Sequence, residues 1–178
     1  MKKAAVFGSA RPVPGEPDYE AAFQIGKLLA QRNFGVVTGG YMGTMEAVSK
    51  GASVYGGEVV GVTCEEIEKW RPIEHNAYVQ HVIHCITLDE RIRRLINEAD
   101  AGAIALPGGI GTLAEIAMFW NHVVIHPTDI RPLVFVGDGW LQTLNAFHQY
   151  QKDHLPEELP KNITFCTSVQ ETLECFIS

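Results

Sequence analysis

The chain has 178 residues, of which 46% are hydrophobic and 20% are charged, and its formal net charge at pH 7 is −7. A chain of this length buries a sizeable core without the help of disulfides or a structural metal. Its acidic balance argues against binding to a nucleic acid polymer, because that binding depends on clustered lysine and arginine.

The chain begins MKKAAVFG, a short basic start followed by a short apolar run. This run is too short for a secretory signal, and no other stretch is long and apolar enough for a membrane span. We therefore expect a cytoplasmic protein that does not bind membranes. The four cysteines contain no Cys-x-x-Cys pair, so we expect reduced thiols and no metal site.

Strand-like runs recur at residues 3–8, 35–38, 58–63, 79–85, 101–106, 131–136 and 163–166. Amphipathic segments of helix length lie between most of them, at residues 19–32, 45–55, 88–99, 113–124, 140–152 and 169–176. This alternation predicts an α/β fold, a Rossmann-like doubly wound parallel sheet of about seven strands with helices on both faces, in a single domain over residues 1–178. Residues 65–77 show no clear period and predict an irregular excursion near the sheet edge.

Three turns rich in small residues follow predicted strands. They read Gly8-Ser9-Ala10-Arg11, Gly39-Gly40-Tyr41-Met42-Gly43-Thr44 and Pro107-Gly108-Gly109-Ile110-Gly111-Thr112-Leu113-Ala114-Glu115. Parallel strands end at one edge of a sheet, so the three turns converge on one crevice. Glycine turns that open a helix leave backbone N–H groups free and favour phosphate binding, and three such turns suit a mononucleotide. The candidate phosphate-binding residues are Gly8, Ser9, Gly39, Gly40, Gly43, Thr44, Pro107, Gly108, Gly109, Ile110, Gly111 and Thr112.

The glycine spacing alone does not establish phosphate binding. The glycines can simply form tight connections, because short glycine motifs produce many false matches. A P-loop is disfavoured, since no Gly-Lys-Ser/Thr follows either longer turn. A nicotinamide dehydrogenase is also disfavoured, because the first turn lacks the Gly-x-Gly-x-x-Gly spacing.

Glu115 follows the third turn and is the candidate catalytic acid. The spacing Thr112-x-x-Glu115 also matches a capping box, and Thr87-x-x-Glu90 and Ser168-x-x-Glu171 repeat that spacing at other predicted helix starts. Only Glu115 has a glycine-rich approach that directs it toward a ligand. Catalysis and capping therefore both remain open.

Arg91 and Glu46 are the other candidates at this edge. Arg91 borders the apolar stripe of its predicted helix, so it either leans into the crevice or covers the edge of the core with its aliphatic stem. Glu46 opens the helix after Gly43 and Thr44. It either complements the helix dipole or bonds a ribose hydroxyl.

The predicted helix over residues 113–124 is apolar almost all round, with Met118, Phe119 and Trp120 among its side chains. Such a helix is either central in the domain or part of a subunit contact. We therefore expect a homodimer or higher homo-oligomer.

Three segments together resemble the LOG family, whose members are often labelled lysine decarboxylase-like. They are Gly39-Gly40-Tyr41-Met42-Gly43-Thr44-Met45-Glu46-Ala47-Val48, Asp89-Glu90-Arg91 and the PGGxGTxxE string that ends at Glu115. The resemblance implies a homodimeric phosphoribohydrolase without metal or cofactor, which cleaves nucleoside 5′-monophosphates such as AMP or cytokinin riboside monophosphates to free base and ribose 5-phosphate. It places the essential arginine and glutamate at Arg91 and Glu115.

The sequence also departs from the LOG pattern. Ile92 follows Arg91 where the family has lysine, Ala114 precedes Glu115 where it has a second glutamate, and Glu46 replaces a usual glycine. Some relatives in the wider group resemble nucleotide- or molybdenum-cofactor-binding proteins without hydrolytic activity. The alternative function is therefore a non-hydrolytic binding or carrier protein.

Overall fold

The computed structural model of the protein describes residues 1–155 and 161–177. Its strands are β1 (Lys3–Phe7), β2 (Gly35–Thr38), β3 (Val59–Cys64), β4 (His81–Cys85), β5 (Gly102–Ala105), β6 (Leu133–Val136) and β7 (Ile163–Cys166). Its α-helices are α1 (Pro17–Gln31), α2 (Thr44–Val54), α3 (Glu65–Trp70), α4 (Leu88–Glu98), α5 (Ile110–Ile125), α6 (Asp138–Gln151) and α7 (Val169–Ile177), and a 3₁₀ turn (Lys152–His154) follows α6.

The strands form one seven-stranded sheet in the order β4-β3-β2-β1-β5-β6-β7, and every neighbouring pair is parallel. The chain winds outward from β1 in one direction as far as β4, then returns to β5 on the other side of β1. The carboxyl ends of β1 and β5 therefore flank a topological switch point, which is where open α/β sheets bind ligands.

Helices cover both faces of the sheet, as the alternation of elements predicts. Along β1, Ala4 and Val6 pack on one face with residues of α1, α2 and α7. Ala5 and Phe7 point the other way and pack with residues of α4, α5 and α6. This alternation of buried side chains confirms the doubly wound Rossmann-like architecture.

The seven strands lie within two residues of their predicted bounds, but two helical predictions are wrong. Within the segment predicted as irregular, Glu65–Trp70 forms α3, which has no buried residue and therefore no apolar period to detect. The helix predicted to begin at Leu113 begins at Ile110, because Gly109 occupies the N-cap. Gly111 and Thr112 thus lie in the first turn of α5.

Along the part of the chain that the structure describes, no helix combines the length and hydrophobicity that a membrane crossing requires.

Candidate functional site

The three predicted turns meet at the switch point and are hydrogen-bonded to one another. The Ser9 N–H donates to the Pro107 carbonyl at 3.2 Å. The Ser9 carbonyl in turn accepts the Thr44 N–H at 2.9 Å and the Thr44 hydroxyl at 3.0 Å. Gly8 lies so close to Thr44 that a Cβ atom there would overlap the Thr44 hydroxyl. The first turn thus joins the other two.

The start of α5 is open. Its first helical hydrogen bond runs from the Leu113 N–H to the Gly109 carbonyl at 3.0 Å. The N–H groups of Ile110, Gly111 and Thr112 have no acceptor within residues 1–155 and 161–177. A Cβ atom on Gly109 or Gly111 would meet nothing within 4 Å. The helix start therefore offers free donors and partial positive charge to an anion, with space to receive it.

The glycine turn between β2 and α2 is enclosed instead. A Cβ atom on Gly39 would overlap the Arg91 guanidinium and lie 2.6 Å from Met45 Sδ. Gly40 and Gly43 have φ angles of +79° and +73°, and a Cβ on Gly43 would overlap the Ser9 carbonyl. These glycines are required by backbone conformation and close packing. Two turns of the same sequence pattern thus present different surfaces.

Arg91 and Glu115 form a buried ion pair beside these turns. Arg91 Nη1 donates to Glu115 Oε1 at 3.0 Å, and Arg91 Nε donates to the Val62 carbonyl at 2.8 Å. The two residues are only 5% and 8% exposed. Arg91 is therefore buried and paired, and it does not cover an exposed edge of the core.

Glu115 does not cap α5, so the capping-box interpretation of this residue is wrong. The N-cap is Gly109, and no side chain caps this helix. The other two predicted caps are present: Thr87 Oγ1 accepts the Glu90 N–H at 3.4 Å, and Ser168 Oγ accepts the Glu171 N–H at 3.2 Å. Glu115 is thus available for another role.

Burial raises the pKa of the Glu115 carboxyl, and the charge and hydrogen bond of Arg91 oppose that rise. Glu115 Oε2 and Arg91 Nη2 have no hydrogen-bond partner among the described residues. In the same part of the chain, every fully buried side-chain nitrogen or oxygen has a partner. Both atoms therefore keep a small accessible surface, although the two side chains are only 6% and 10% exposed. Because residues four apart share a helix face, Glu115 lies one turn below the open position at Gly111.

Glu46 lies in the first turn of α2, where its Oε1 accepts the Tyr19 hydroxyl at 3.1 Å. Burial, together with the nearby Glu46 carboxylate, raises the pKa of Tyr19 to about 12. The observed contact of Glu46 therefore joins α2 to α1. Among the described residues, no group of three or more His, Cys, Asp or Glu side chains is arranged to hold a metal ion.

Two residues of this region, Tyr41 and Asn76, were not among the sequence-predicted site residues. The Tyr41 ring centroid lies 5.9 Å from Arg91 Cζ, and Asn76 Nδ2 donates to the Gly40 and Tyr41 carbonyls at 3.0 and 2.8 Å. Tyr41 lies inside the glycine motif, but the phosphate-binding pattern consists of the glycines around it. Asn76 lies in the segment without periodicity, so no sequence signal indicated its contact with the turn.

Fold and site together define a Rossmann-like α/β protein whose α5 N-terminus opens at the switch point beside a buried acid. The family model described as SLOG cluster4 matches residues 1–138. The chain belongs to this SLOG family.

Named relatives support the assignment. A Mycobacterium tuberculosis protein named cytokinin riboside 5′-monophosphate phosphoribohydrolase is 34% identical over 137 residues, which cover 76% of this chain and 70% of that protein. A Rhodococcoides fascians protein of the same name is 31% identical over 142 residues, covering 78% of this chain and 69% of that protein.

Solved structures support the fold. The molybdenum cofactor binding protein from Rippkaea orientalis superposes with a TM-score of 0.74 at 21% identity, covering 100% of this chain and 98% of that one. The molybdenum cofactor carrier protein from Chlamydomonas reinhardtii gives a TM-score of 0.73 at 19% identity, covering 99% and 98%.

Replacing Arg91 by methionine should destabilise the protein by about 3–5 kcal/mol, because the buried Glu115 carboxylate loses its partner. The double variant R91M/E115L should recover most of that loss, since it removes both buried charges. Urea denaturation followed by circular dichroism measures the three free energies of unfolding. Arg93→Met is the matched control, because the Arg93–Asp89 pair is exposed and its loss should change little. Equal losses in the single and double variants would contradict a coupled pair.

Proposed function

We propose that the protein is a nucleoside 5′-monophosphate phosphoribohydrolase, which hydrolyses the N-glycosidic bond of AMP or a cytokinin riboside monophosphate to free base and ribose 5-phosphate. The names of the two bacterial relatives support this class of reaction. The observation that carries it is the position of Glu115, buried against Arg91 and one helical turn below the unpaired amides of α5. No metal or other cofactor takes part.

The 5′-phosphate binds at the start of α5. Its oxygens accept hydrogen bonds from the N–H groups of Ile110, Gly111 and Thr112, which have no partner within the described chain. Gly109 and Gly111 leave room for the phosphate because a Cβ atom at either position would meet nothing within 4 Å. The partial positive charge of the helix start supplies the attraction, since the Arg91 charge is balanced by Glu115.

Glu115 performs the chemistry on the sugar and the water. As the bond between C1′ and the base nitrogen breaks, positive charge develops on the ribose ring, and the Glu115 carboxylate stabilises it. Oε2 removes a proton from the attacking water as the water oxygen bonds to C1′ and the bond from C1′ to the base breaks. The same proton then passes from Oε2 to the departing base nitrogen, which returns Glu115 to the carboxylate.

Arg91 holds Glu115 in the reactive state. It occupies Oε1 at 3.0 Å and leaves Oε2 accessible. Its charge opposes the effect of burial on the pKa of Glu115 and so favours the ionised carboxylate that the reaction needs. Arg91 Nη2, which has no partner among the described residues, is available to a phosphate or hydroxyl oxygen of the substrate.

The second candidate is a carrier that holds a nucleotide or the molybdenum cofactor without cleaving it. Its support is the fold similarity to the Rippkaea and Chlamydomonas proteins, which extends over nearly the whole of each chain. An intact ligand that remains bound through purification and is released only on denaturation would favour this candidate over hydrolysis.

Chromatography of AMP incubated with the purified protein should show free adenine and ribose 5-phosphate in equal amounts. Glu115→Gln should abolish turnover but retain AMP binding, because the amide keeps an acceptor for Arg91 and cannot act as a base. Glu90→Gln is the control, since Glu90 acts at the exposed start of α4. Absence of base release from every monophosphate tested would refute the enzymatic proposal.

The pH dependence of turnover should also report on Glu115. Activity should fall as pH decreases through a pKa above the ordinary carboxyl value of 4.5, because burial favours the protonated, inactive acid. The free energy of unfolding of the wild type should also fall, relative to that of Glu115→Gln, as pH rises from about 4.5. The reason is that the folded state holds the Glu115 proton more tightly than the unfolded chain does. An acid limb at or below 4.5 would contradict the assignment of the reacting group.

The outward face of α5 supports a homodimer, which we also propose. Ile110, Leu113, Met118, Val124 and Ile125 are between 37% and 83% exposed on it. The helix sequence contains no lysine, arginine or aspartate, and its glutamate is the buried Glu115. A second copy of the chain would cover this uncharged surface, as is typical of subunit contacts.

Light scattering coupled to size exclusion should therefore give twice the chain mass of 19.6 kDa. Met118→Arg should shift the protein toward the monomer, because a charge in an apolar contact must be desolvated. Val54→Arg, at an exposed position at the end of α2, is the control and should leave the mass unchanged. A monomeric wild type would contradict the homodimer.

A further inference from the structure

The Arg91 guanidinium has a third contact that the proposed reaction does not use. Besides Glu115 and the Val62 carbonyl, it faces the Tyr41 ring, whose centroid lies 5.9 Å from Arg91 Cζ. Opposite Nη2 lies Gly39, which has no side chain to hold the guanidinium in place. Within the β2–α2 turn, the Tyr41 ring is thus the side chain that faces the Arg91 guanidinium.

Tyr41 is itself held at its hydroxyl. The oxygen accepts the Cys64 N–H at 2.7 Å, and the hydroxyl donates to Glu68 Oε1 at 3.0 Å. Burial raises the pKa of Tyr41 to about 12, so the phenol stays protonated and remains a donor. Helix α3, which carries Glu68, therefore anchors the far end of a side chain whose ring faces Arg91.

Asn76 holds the backbone of the same turn. Its N–H and Nδ2 both donate to the Gly40 carbonyl, at 2.8 and 3.0 Å, and Nδ2 also donates to the Tyr41 carbonyl at 2.8 Å. Its Oδ1 accepts the Tyr78 N–H at 3.1 Å, which fixes the orientation of the amide. One side chain thus fastens the segment before β4 to the glycine turn.

We propose that Tyr41 is a positioning residue, which holds the Arg91 guanidinium against Glu115, and that Asn76 holds Tyr41 in that position. A cation over an aromatic face is attracted by the ring quadrupole, an attraction that an aliphatic side chain of similar size does not supply. If the ring is lost, Arg91 has fewer constraints and stabilises the Glu115 carboxylate less well. The proposal rests on the proposed function for its effect on turnover, but not for its effect on Glu115.

Charged groups contact both Arg91 and Tyr41. Arg91 faces both Glu115 and Tyr41. Glu68 contacts the Tyr41 hydroxyl, and His84 Nδ1 lies 3.8 Å from Glu68 Oε2 and 3.0 Å from Thr63 Oγ1. The titration of Glu115 in each Tyr41 variant is therefore compared with that of the wild type under matched conditions.

The test compares Tyr41→Leu, Tyr41→Phe and Asn76→Ala. Carbon-13 NMR of glutamate side-chain carboxyls, with Glu115→Gln to assign the signal, follows the Glu115 titration directly. We expect a higher Glu115 pKa in Tyr41→Leu and Asn76→Ala, and a value near the wild type in Tyr41→Phe. With AMP, kcat of Tyr41→Leu should fall about tenfold with little change in KM, because the weakened interaction orients the acid and does not bind the phosphate.

Two control variants make the same substitutions, tyrosine to leucine and asparagine to alanine, at positions away from the site. Tyr55→Leu removes a ring whose centroid lies 5.0 Å from Lys27 Nζ. Asn97→Ala removes an exposed amide on α4. Both should leave the Glu115 titration and kcat unchanged. A Glu115 titration in folded Tyr41→Leu that matches the wild type would overturn the proposal, as would equal shifts in Tyr41→Leu and Tyr41→Phe.

If circular dichroism shows Tyr41→Leu to be unfolded, Asn76→Ala decides the question, and a wild-type Glu115 titration in that variant overturns the proposal. The two proposals also fail separately. A wild type that releases no base from AMP defeats the hydrolase, whereas the carboxyl titration still decides whether Tyr41 acts on Arg91 and Glu115.

Discussion

The buried pair of Arg91 and Glu115 is the constraint around which the site is arranged. Neither charge is stable in this position alone, because desolvation of an unpaired ion costs several kcal/mol. The pair connects α4 to α5 and reaches the β3 backbone through Val62. In the proposed reaction Glu115 acts as the base, and the charge of Arg91 favours the ionised form that this role needs.

The two long glycine turns differ in what they pack against. At the β2–α2 turn the glycines allow the guanidinium and the first turn to pack against the main chain. At the start of α5 the glycines face open space, and the first amides have no acceptor in the described chain. Support for the acid and space for a phosphate are thus provided by similar sequences at neighbouring strand ends. The physical difference lies in what each turn packs against.

Much of this architecture could be predicted, because buried parallel strands appear as short apolar runs and the helices between them carry an apolar period. Helix α3 could not be predicted in this way, because none of its residues is buried and it has no apolar period. The role of Glu115 was ambiguous because its spacing from Thr112 equals that of two real caps, and only the N-cap at Gly109 separates the cases. Asn76 and Tyr41 depend on tertiary contacts between distant segments, which spacing along one segment does not encode.

Phosphate binding at the start of α5 is tested most directly by titrating nitrogen-15-labelled protein with AMP and monitoring the backbone amide resonances. We expect the largest shifts to fall on Ile110, Gly111 and Thr112 at the start of α5, and we expect inorganic phosphate to compete for them. Shifts confined instead to the cavity of about 930 Å³ at the opposite edge of the sheet, which Lys2, Arg131 and Lys161 line, would contradict phosphate binding at α5.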